Sequence, residues 1–317
     1  MLDLNKPLNK HTIFLAIPAF NERYIKQTID SALKEAKYPN RISFGICEHR
    51  TDEKFTDTQS YSNLKHIKIR YDAALGTGIS RIMPTLLYDQ EDFIFQVDAH
   101  MFFQKDWDEK IIDGYTEIYK DIKNNKIIIS SRTPWWIFKN NRIYLEPIIK
   151  REEEVSVITY NFKNHYGFPE INGKFVNLEK NKNYAEQYLL SGHCIFSTAN
   201  FFQDIYVDPA MMFLGEEPTF SLRASTRGYR FFAIKEHIVW HYNKQGMEDH
   251  DERVYDPGNP KLVKHYYHKQ KLELERIKKI FTGEILGYWG APSKELLEEY
   301  ERNLNFNFKE FYKNIDK

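Results

Sequence analysis

Asp98 and His100 stand two residues apart at the end of the apolar run "EDFIFQVDAHMFF" (91–103), and both are side chains that hold divalent metal ions. Positions i and i+2 of a strand share a face, so a carboxylate and an imidazole spaced this way can converge on one ion. One imidazole with one carboxylate suits Mn2+ better than the oxygen-only shells of Mg2+ or Ca2+, with Mg2+ as the alternative. Taken alone, Asp-x-His is equally a pair that caps a strand or meets a backbone group. A third ligand has to come from elsewhere in the chain. His241 is the candidate, because it closes the run "HIVWH" as Asp98 and His100 close theirs; its other reading is a solvated or core histidine. The "GTG" turn at Gly76–Gly78 lacks the Gly-Lys-Ser/Thr ending of a P-loop and reads as a helix start.

The elements that must carry these residues follow from periodicity. "HTIFLAIPAF" (11–20), "RISFGICEH" (41–49), "HIKIRYDA" (66–73), "DFIFQVDAH" (92–100) and "KIIISSRTPWW" (126–136) read as strands. "NERYIKQTIDSALKEAKY" (21–38), with Asn21 placed to cap it, "TGISRIMPTLLYD" (77–89) and "DWDEKIIDGYTEIYKDIK" (106–123) read as helices. Strands that are apolar throughout and alternate with helices predict an α/β fold with a mostly parallel sheet covered on both faces. Ligands of such sheets lie beyond the carboxyl ends of the strands, where Asp98, His100, Phe20 and Glu48 fall. Residues 137–190, rich in Asn, Lys and Glu, are expected to form an irregular insertion. "GEEPTFSLRASTRG" predicts a helix with Pro218 in its first turn and Gly228 at its stop, and "RFFAIKEHIVW" predicts a strand. Charged helical segments dominate the tail.

The bulk composition excludes some partners. Among 317 residues, 45 Lys and Arg balance 45 Asp and Glu, so no net charge favours nucleic acid or an acidic membrane surface. Two cysteines build no disulfide framework and no zinc-ligand spacing, which fits a reducing compartment. The apolar run near the start is short and broken by Pro18, and no stretch reaches the roughly 18 apolar residues of a membrane helix, so a cytoplasmic protein is expected.

Several longer stretches carry a family resemblance. "IPAFNERYIKQTIDSALKEAKYPNRISFGIC" resembles the opening of GT-A glycosyltransferases, with their Pro-x-Phe/Tyr-Asn-Glu before a Thr-Ile-x-Ser-x-Leu helix. "QVDAHMFFQKDWDEKII", "MMFLGEEPTFSLRASTRGYRFF" and "GYWGAPSKELLEEYERNLNFNF" look like successive landmarks of the GlcNAc-transferase family that includes the cytoplasmic enzymes modifying hydroxyproline. That family is similar in design to the polypeptide GalNAc-transferases, which hold Mn2+ on the UDP diphosphate with Asp-x-His and a distant histidine. The resemblance implies a GT-A catalytic domain over 1–245 and a helical extension packed on it over 246–317. It also implies that Asp98, His100 and His241 hold the metal.

Other site residues follow from where the phosphates, base and ribose of such a donor would lie, and some from the resemblance itself. Arg81, in the helix after "GTG", is placed to approach the phosphates or the sugar, and is otherwise a salt-bridge partner. Pro18, Phe20, Glu22 and Glu48 are candidates for the base and ribose, with Phe20 stacking on uracil and Glu48 accepting from its ring N–H; either is otherwise a core aromatic or a solvated charge. Gly192 and His193 in "LLSGHCIFS" line the donor-sugar pocket by resemblance. An acidic residue opening the late helix faces the acceptor or the donor sugar in GT-A enzymes, which makes Glu217 the first catalytic candidate and Glu216 the second. The expected reaction is metal-dependent, retaining transfer of GlcNAc from a UDP-sugar, UDP-GlcNAc, to a hydroxyl acceptor on a protein, a glycan or a modified nucleobase. Three other readings stay open: an inverting transferase with Glu217 as general base, a metal-dependent hydrolase, and a sugar-nucleotide-binding module without turnover.

Overall fold

The first strand is apolar towards both sides: Ile13, Leu15 and Ile17 enter one core, Phe14 and Ala16 a second. A strand buried twice over has to run inside a sheet covered on both faces. The structure, a computed structural model, describes residues 6–50, 54–70, 76–140, 142–148, 152–161, 170–243 and 260–315. In chain order the first half holds β1 (Ile13–Phe20), α1 (Ile25–Glu35), β2 (Ile42–Arg50), β3 (Leu64–Arg70), α2 (Thr77–Thr85), β4 (Phe93–Val97), β5 (Met101–Phe103) and α3 (Trp107–Ile122). Then come β6 (Ile127–Ile129), β7 (Trp135–Lys139), β8 (Arg142–Leu145), β9 (Glu154–Asn161), β10 (Glu170–Asn177), β11 (Tyr184–Gln187), β12 (Cys194–Thr198) and α4 (Ala199–Asp204). The chain continues through α5 (Glu216–Ser225), β13 (Arg230–Ile234), β14 (Val239–Tyr242), α6 (Pro260–Phe281), α7 (Lys294–Leu304) and α8 (Phe308–Ile315).

The large sheet has the order β11-β13-β6-β12-β4-β1-β2-β3. Only β11 and β12 run against their neighbours, so the sheet is mostly parallel, as expected. On one face α1 and α3 bring Ile25, Ile29, Ile111 and Tyr115 onto the odd residues of β1. On the other, Phe201 and Phe220 of α4 and α5 meet the even ones. A second sheet, β5-β14-β7-β8, stands beside the first. The chain passes from one to the other through three residues, Asp98, Ala99 and His100, between β4 and β5.

Several element boundaries differ from the expectation. The strand expected over 92–100 ends at Val97, and Asp98 and His100 lie on the connection. The strand expected over 126–136 is two strands in different sheets, β6 and β7, with Pro134 between them, where no N–H is available to a ladder. "RFFAIKEHIVW" divides in the same way into β13 and β14. Asn21 does not cap α1. Its backbone turns at φ 45 and its N–H donates to the His49 carbonyl at 2.9 Å, so the helix opens only at Ile25, without a side-chain cap.

The 137–190 segment is not irregular in its described residues, which form the end of β7, then β8, a β9–β10 hairpin, and β11. Its polar appearance comes from outward positions such as Asn172, Lys174 and Lys180, while Val155, Val157, Ile158 and Tyr160 are buried. Helices α6 to α8 share a core with this hairpin and with α5, in which Ile277, Ile280, Phe281, Tyr300 and Phe308 pack with Tyr160 and Leu222. Each such side chain, fully buried, contributes about 1.5–3 kcal/mol. Among the described residues, no helix is long and apolar enough to cross a membrane.

Candidate active site

The turn between the two sheets is pinned from both sides. Thr28 of α1 donates its hydroxyl to the Ala99 carbonyl at 2.9 Å and accepts the Met101 N–H at 2.9 Å. From the small sheet, the Trp136 indole N–H and the Tyr242 N–H reach the His100 carbonyl at 2.9 and 3.2 Å. His241 is the third residue of β14 and pairs with Met101, one residue past His100. The backbone therefore delivers Asp98, His100 and His241 to one place.

Their donor atoms all lie within 4.8 Å of one another. His100 Nε2 is 3.0 Å from His241 Nε2, which is 3.2 Å from Asp98 Oδ2. Spacings of about 3 Å are those of neighbouring ligands on one ion with bonds of about 2.1 Å. The ring of His100 is fixed on its far side, where Nδ1 meets Glu22 Oε2 at 2.7 Å. A proton on Nδ1 donated to that carboxylate leaves Nε2 as a lone-pair ligand, the arrangement that orients metal-bound histidines. The residues fit a divalent cation. Glu22, considered at the sequence level for the nucleotide, stands behind the metal trio.

Arg81 joins this cluster to the start of α5. Its Nη1 is 3.1 Å from Asp98 Oδ1 and donates to the Gly192 carbonyl at 2.8 Å, while Nε donates to Glu216 Oε1 at 2.7 Å. Burial opposes a charge on Arg81, but Glu216, Asp98 and Glu217 outweigh it and keep the guanidinium protonated. Burial likewise works against a charged Asp98, and Arg81 together with His241 overcomes it, holding the carboxyl well below the usual carboxylate range. Gly192 has to be glycine here, since a Cβ would sit 2.8 Å from Arg81 Nη2 and from Glu216 Oε1.

The two glutamates at the start of α5 have different surroundings. Glu216 is buried in the ion pair with Arg81. Glu217 is partly buried; its Oε1 accepts the Gly192 N–H at 2.6 Å and the Ser191 hydroxyl at 3.1 Å. Burial and the Glu216 charge push the Glu217 carboxyl up to about 7, against the pull of those donors and Arg81. His193 accepts or donates at Nδ1 to Ser191 Oγ, 2.7 Å away, and its ring centre is 4.7 Å from that of His241. Burial and the neighbouring His241 push it down to about 3.

Pro18, Phe20 and Glu48 form a second group, at the carboxyl ends of β1 and β2. Pro18 lies past the last β1–β4 pair, Ala16 with Gln96, so it interrupts no ladder on that side. The ring of Phe20 lies 6.5 Å from that of His49, tilted by 32°. Glu48 is fully buried, with its oxygens taken by the Thr56 N–H and hydroxyl at 3.0 Å each and by His66 Nε2 at 3.0 Å.

Two participants were not anticipated. Ser191 ties Glu217 to His193, and Gln96 donates its Nε2 to the Gly192 carbonyl at 3.1 Å. Gln96 did leave a signal, as the one amide inside the apolar run "FIFQV", where a buried polar group needs a partner. Ser191 left none.

Comparison with known proteins bears on this arrangement. The family model for glycosyltransferase (GlcNAc) matches residues 51–300. No curated protein matches the chain in sequence. Among solved structures, GalNAc-T7 with UDP, GalNAc and Mn2+ aligns at a TM-score of 0.55 and 15% identity, covering 96% of this chain and 57% of that one. The chain thus spans little more than half the length of that protein. S. aureus TarS 1–349 in complex with UDP-GlcNAc aligns at 0.45 and 13% identity, over 95% of this chain and 90% of that one, a likeness too loose to carry weight.

Proposed function

The chain belongs to the glycosyltransferase (GlcNAc) family and is a glycosyltransferase of the GT-A fold, and from that premise we propose retaining transfer of GlcNAc from UDP-GlcNAc to a hydroxyl acceptor, with Mn2+ held by Asp98, His100 and His241. The convergence of those three side chains carries the reading. The Mn2+ and UDP bound to GalNAc-T7, a protein of the same fold, support it. A divalent cation supplies Lewis-acid neutralisation of the departing diphosphate.

The chain's own residues set the geometry around that event. Asp98 turns Oδ2 towards the two histidines and Oδ1 towards Arg81, so its orientation is fixed before any ligand arrives. Arg81 acts as a frame that holds Asp98, Gly192 and Glu216 at set distances. Without a side chain, Gly192 leaves room for the Arg81 guanidinium and the Glu216 carboxylate to close against its backbone. Glu217 orients the donor and the acceptor hydroxyl, while the acceptor proton passes to the departing phosphate. One observation favours a second reading: a carboxyl raised to about 7 is suited to general-base work near neutral pH, and an inverting reaction would use Glu217 so.

A chain without net charge offers a polynucleotide no bulk attraction, which favours a hydroxyl on a protein or a glycan as acceptor. The buried free thiols of Cys47 and Cys194 support a cytoplasmic setting. Calorimetry of UDP with and without Mn2+, followed by a screen of nucleotide sugars for acceptor-free hydrolysis, tests the reading. UDP should bind tightly only with the metal, and UDP-GlcNAc should be hydrolysed slowly. Asp98→Ala should abolish metal-assisted binding; an Asp98→Ala protein that binds UDP and Mn2+ like the parent would remove the metal assignment.

A further inference from the structure

The segment ahead of α5 presents both glutamates, yet it is irregular from Ile205 to Gly215 and is held largely from outside. Its main tie comes from the C-terminal helices. Glu273 of α6 is fully buried, and its Oε1 accepts three successive N–H groups, those of Phe213, Leu214 and Gly215, at 3.0, 2.8 and 3.0 Å. Three residues on, Arg276 Nε donates to Asp208 Oδ2 at 2.7 Å. Helix α6 also lies directly on the residue that opens α5, since a Cβ on Gly215 would stand 2.5 Å from Ile277 Cγ1. The same segment reaches the other side of the site, where the Met211 and Met212 carbonyls accept the N–H groups of Gly78 and Thr77 at the start of α2, the helix of Arg81.

We infer that Glu273 is a positioning residue for the transfer, and that by gathering the amides of 213–215 it sets where α5 begins and so where Glu216 and Glu217 stand. The inference rests on the transferase reading above. A carboxylate in the interior is costly to desolvate, and on a helix otherwise rich in surface charge it stands here facing three backbone amides. Its position explains how a segment remote in sequence bears on the two glutamates: Glu273 fixes Gly215, and Glu216 and Glu217 follow it.

The test is a series of three variants measured against the parent for acceptor-free hydrolysis of UDP-GlcNAc, UDP–Mn2+ affinity by calorimetry, and hydrogen exchange of the 213–215 amides. Glu273→Leu keeps the bulk but removes the acceptor, and kcat should fall about 100-fold, the cost of a misplacement of about 1 Å. Glu273→Asp draws the oxygen back by one methylene and should give a smaller loss in the same direction. Glu273→Gln keeps a carbonyl acceptor and should return kcat to within about threefold of the parent, losing only the charge assistance of the bonds. UDP–Mn2+ affinity should be unchanged throughout, because the metal trio is untouched. If the leucine protein does not fold, the aspartate and glutamine proteins decide the matter. Parent-like turnover in the aspartate and leucine proteins, or a loss of UDP–Mn2+ affinity in step with turnover, would overturn the inference. Failure of the transferase reading would look different, as a parent protein inactive on every nucleotide sugar.

Discussion

Glu217→Gln separates the charge of this residue from its hydrogen bonds. A glutamine can accept the Gly192 N–H and the Ser191 hydroxyl as the carboxylate does, but it cannot ionise. Burial and the Glu216 charge push the parent carboxyl up from the ordinary 4.5 to about 7, so folding favours its protonated form. The stability this gives is fully present below pH 4.5 and is lost as pH rises through 7. At about 1.4 kcal/mol for each pH unit between those values the loss is about 3 kcal/mol, an upper figure because the partly buried side chain is screened by solvent. With an unfolding entropy of about 2.1 cal/mol/K per residue over 317 residues, this corresponds to about 4–5 °C in melting temperature. Melting curves of both proteins without metal, from pH 4 to pH 8, should therefore diverge as pH rises, the glutamine protein gaining on the parent. Curves that stay parallel would refute the account of how the site raises this carboxyl. Sugar transfer followed over the same range separates the two catalytic readings: a general base makes parent turnover climb through pH 7, and a glutamine in its place nearly abolishes it.

Two further perturbations probe the frame around the metal residues. Arg81→Met leaves Asp98 and Glu216 facing each other without the cation between them, and should lower stability by about 3–5 kcal/mol in urea unfolding; a change under 1 kcal/mol would mean that water already reaches these carboxylates. Glu22→Ala frees the His100 ring from its partner and should weaken Mn2+ binding about 10- to 100-fold by calorimetry without altering the melt by a comparable margin. Equal affinity in the two proteins would show that the turn held by Thr28, Trp136 and Tyr242 orients the ring without Glu22.

The sequence made the large sheet legible because β1, β2 and β4 are apolar on both faces, a pattern that solvent-facing strands do not share. It made the small sheet hard to see. The strands β5, β7, β8 and β14 hold three to five residues each, too few for alternation to register, and β8 is exposed along its whole length. Asp98 and His100 were expected to meet by strand alternation, and they are brought together instead by a turn that Thr28 and Trp136 pin. The end of an apolar run marked the right residues although the strand stops short of them. Glu48 illustrates the opposite case, since its position at a strand end looks open from sequence, whereas Thr56 and His66 close around it. Glu273 could not be read at all. In "KLELERIKK" it resembles its solvated neighbours, and only the fold shows the three amides that it faces.

On the proposed reading, the carboxylates around the turn between the sheets would also set the order of binding. Glu22, Asp98 and Glu216 gather there about His100, His241 and Arg81. A diphosphate entering alone would be repelled by these carboxylates, and a divalent cation held by Asp98, His100 and His241 would offset that repulsion, so the cation would act as the token that admits the nucleotide.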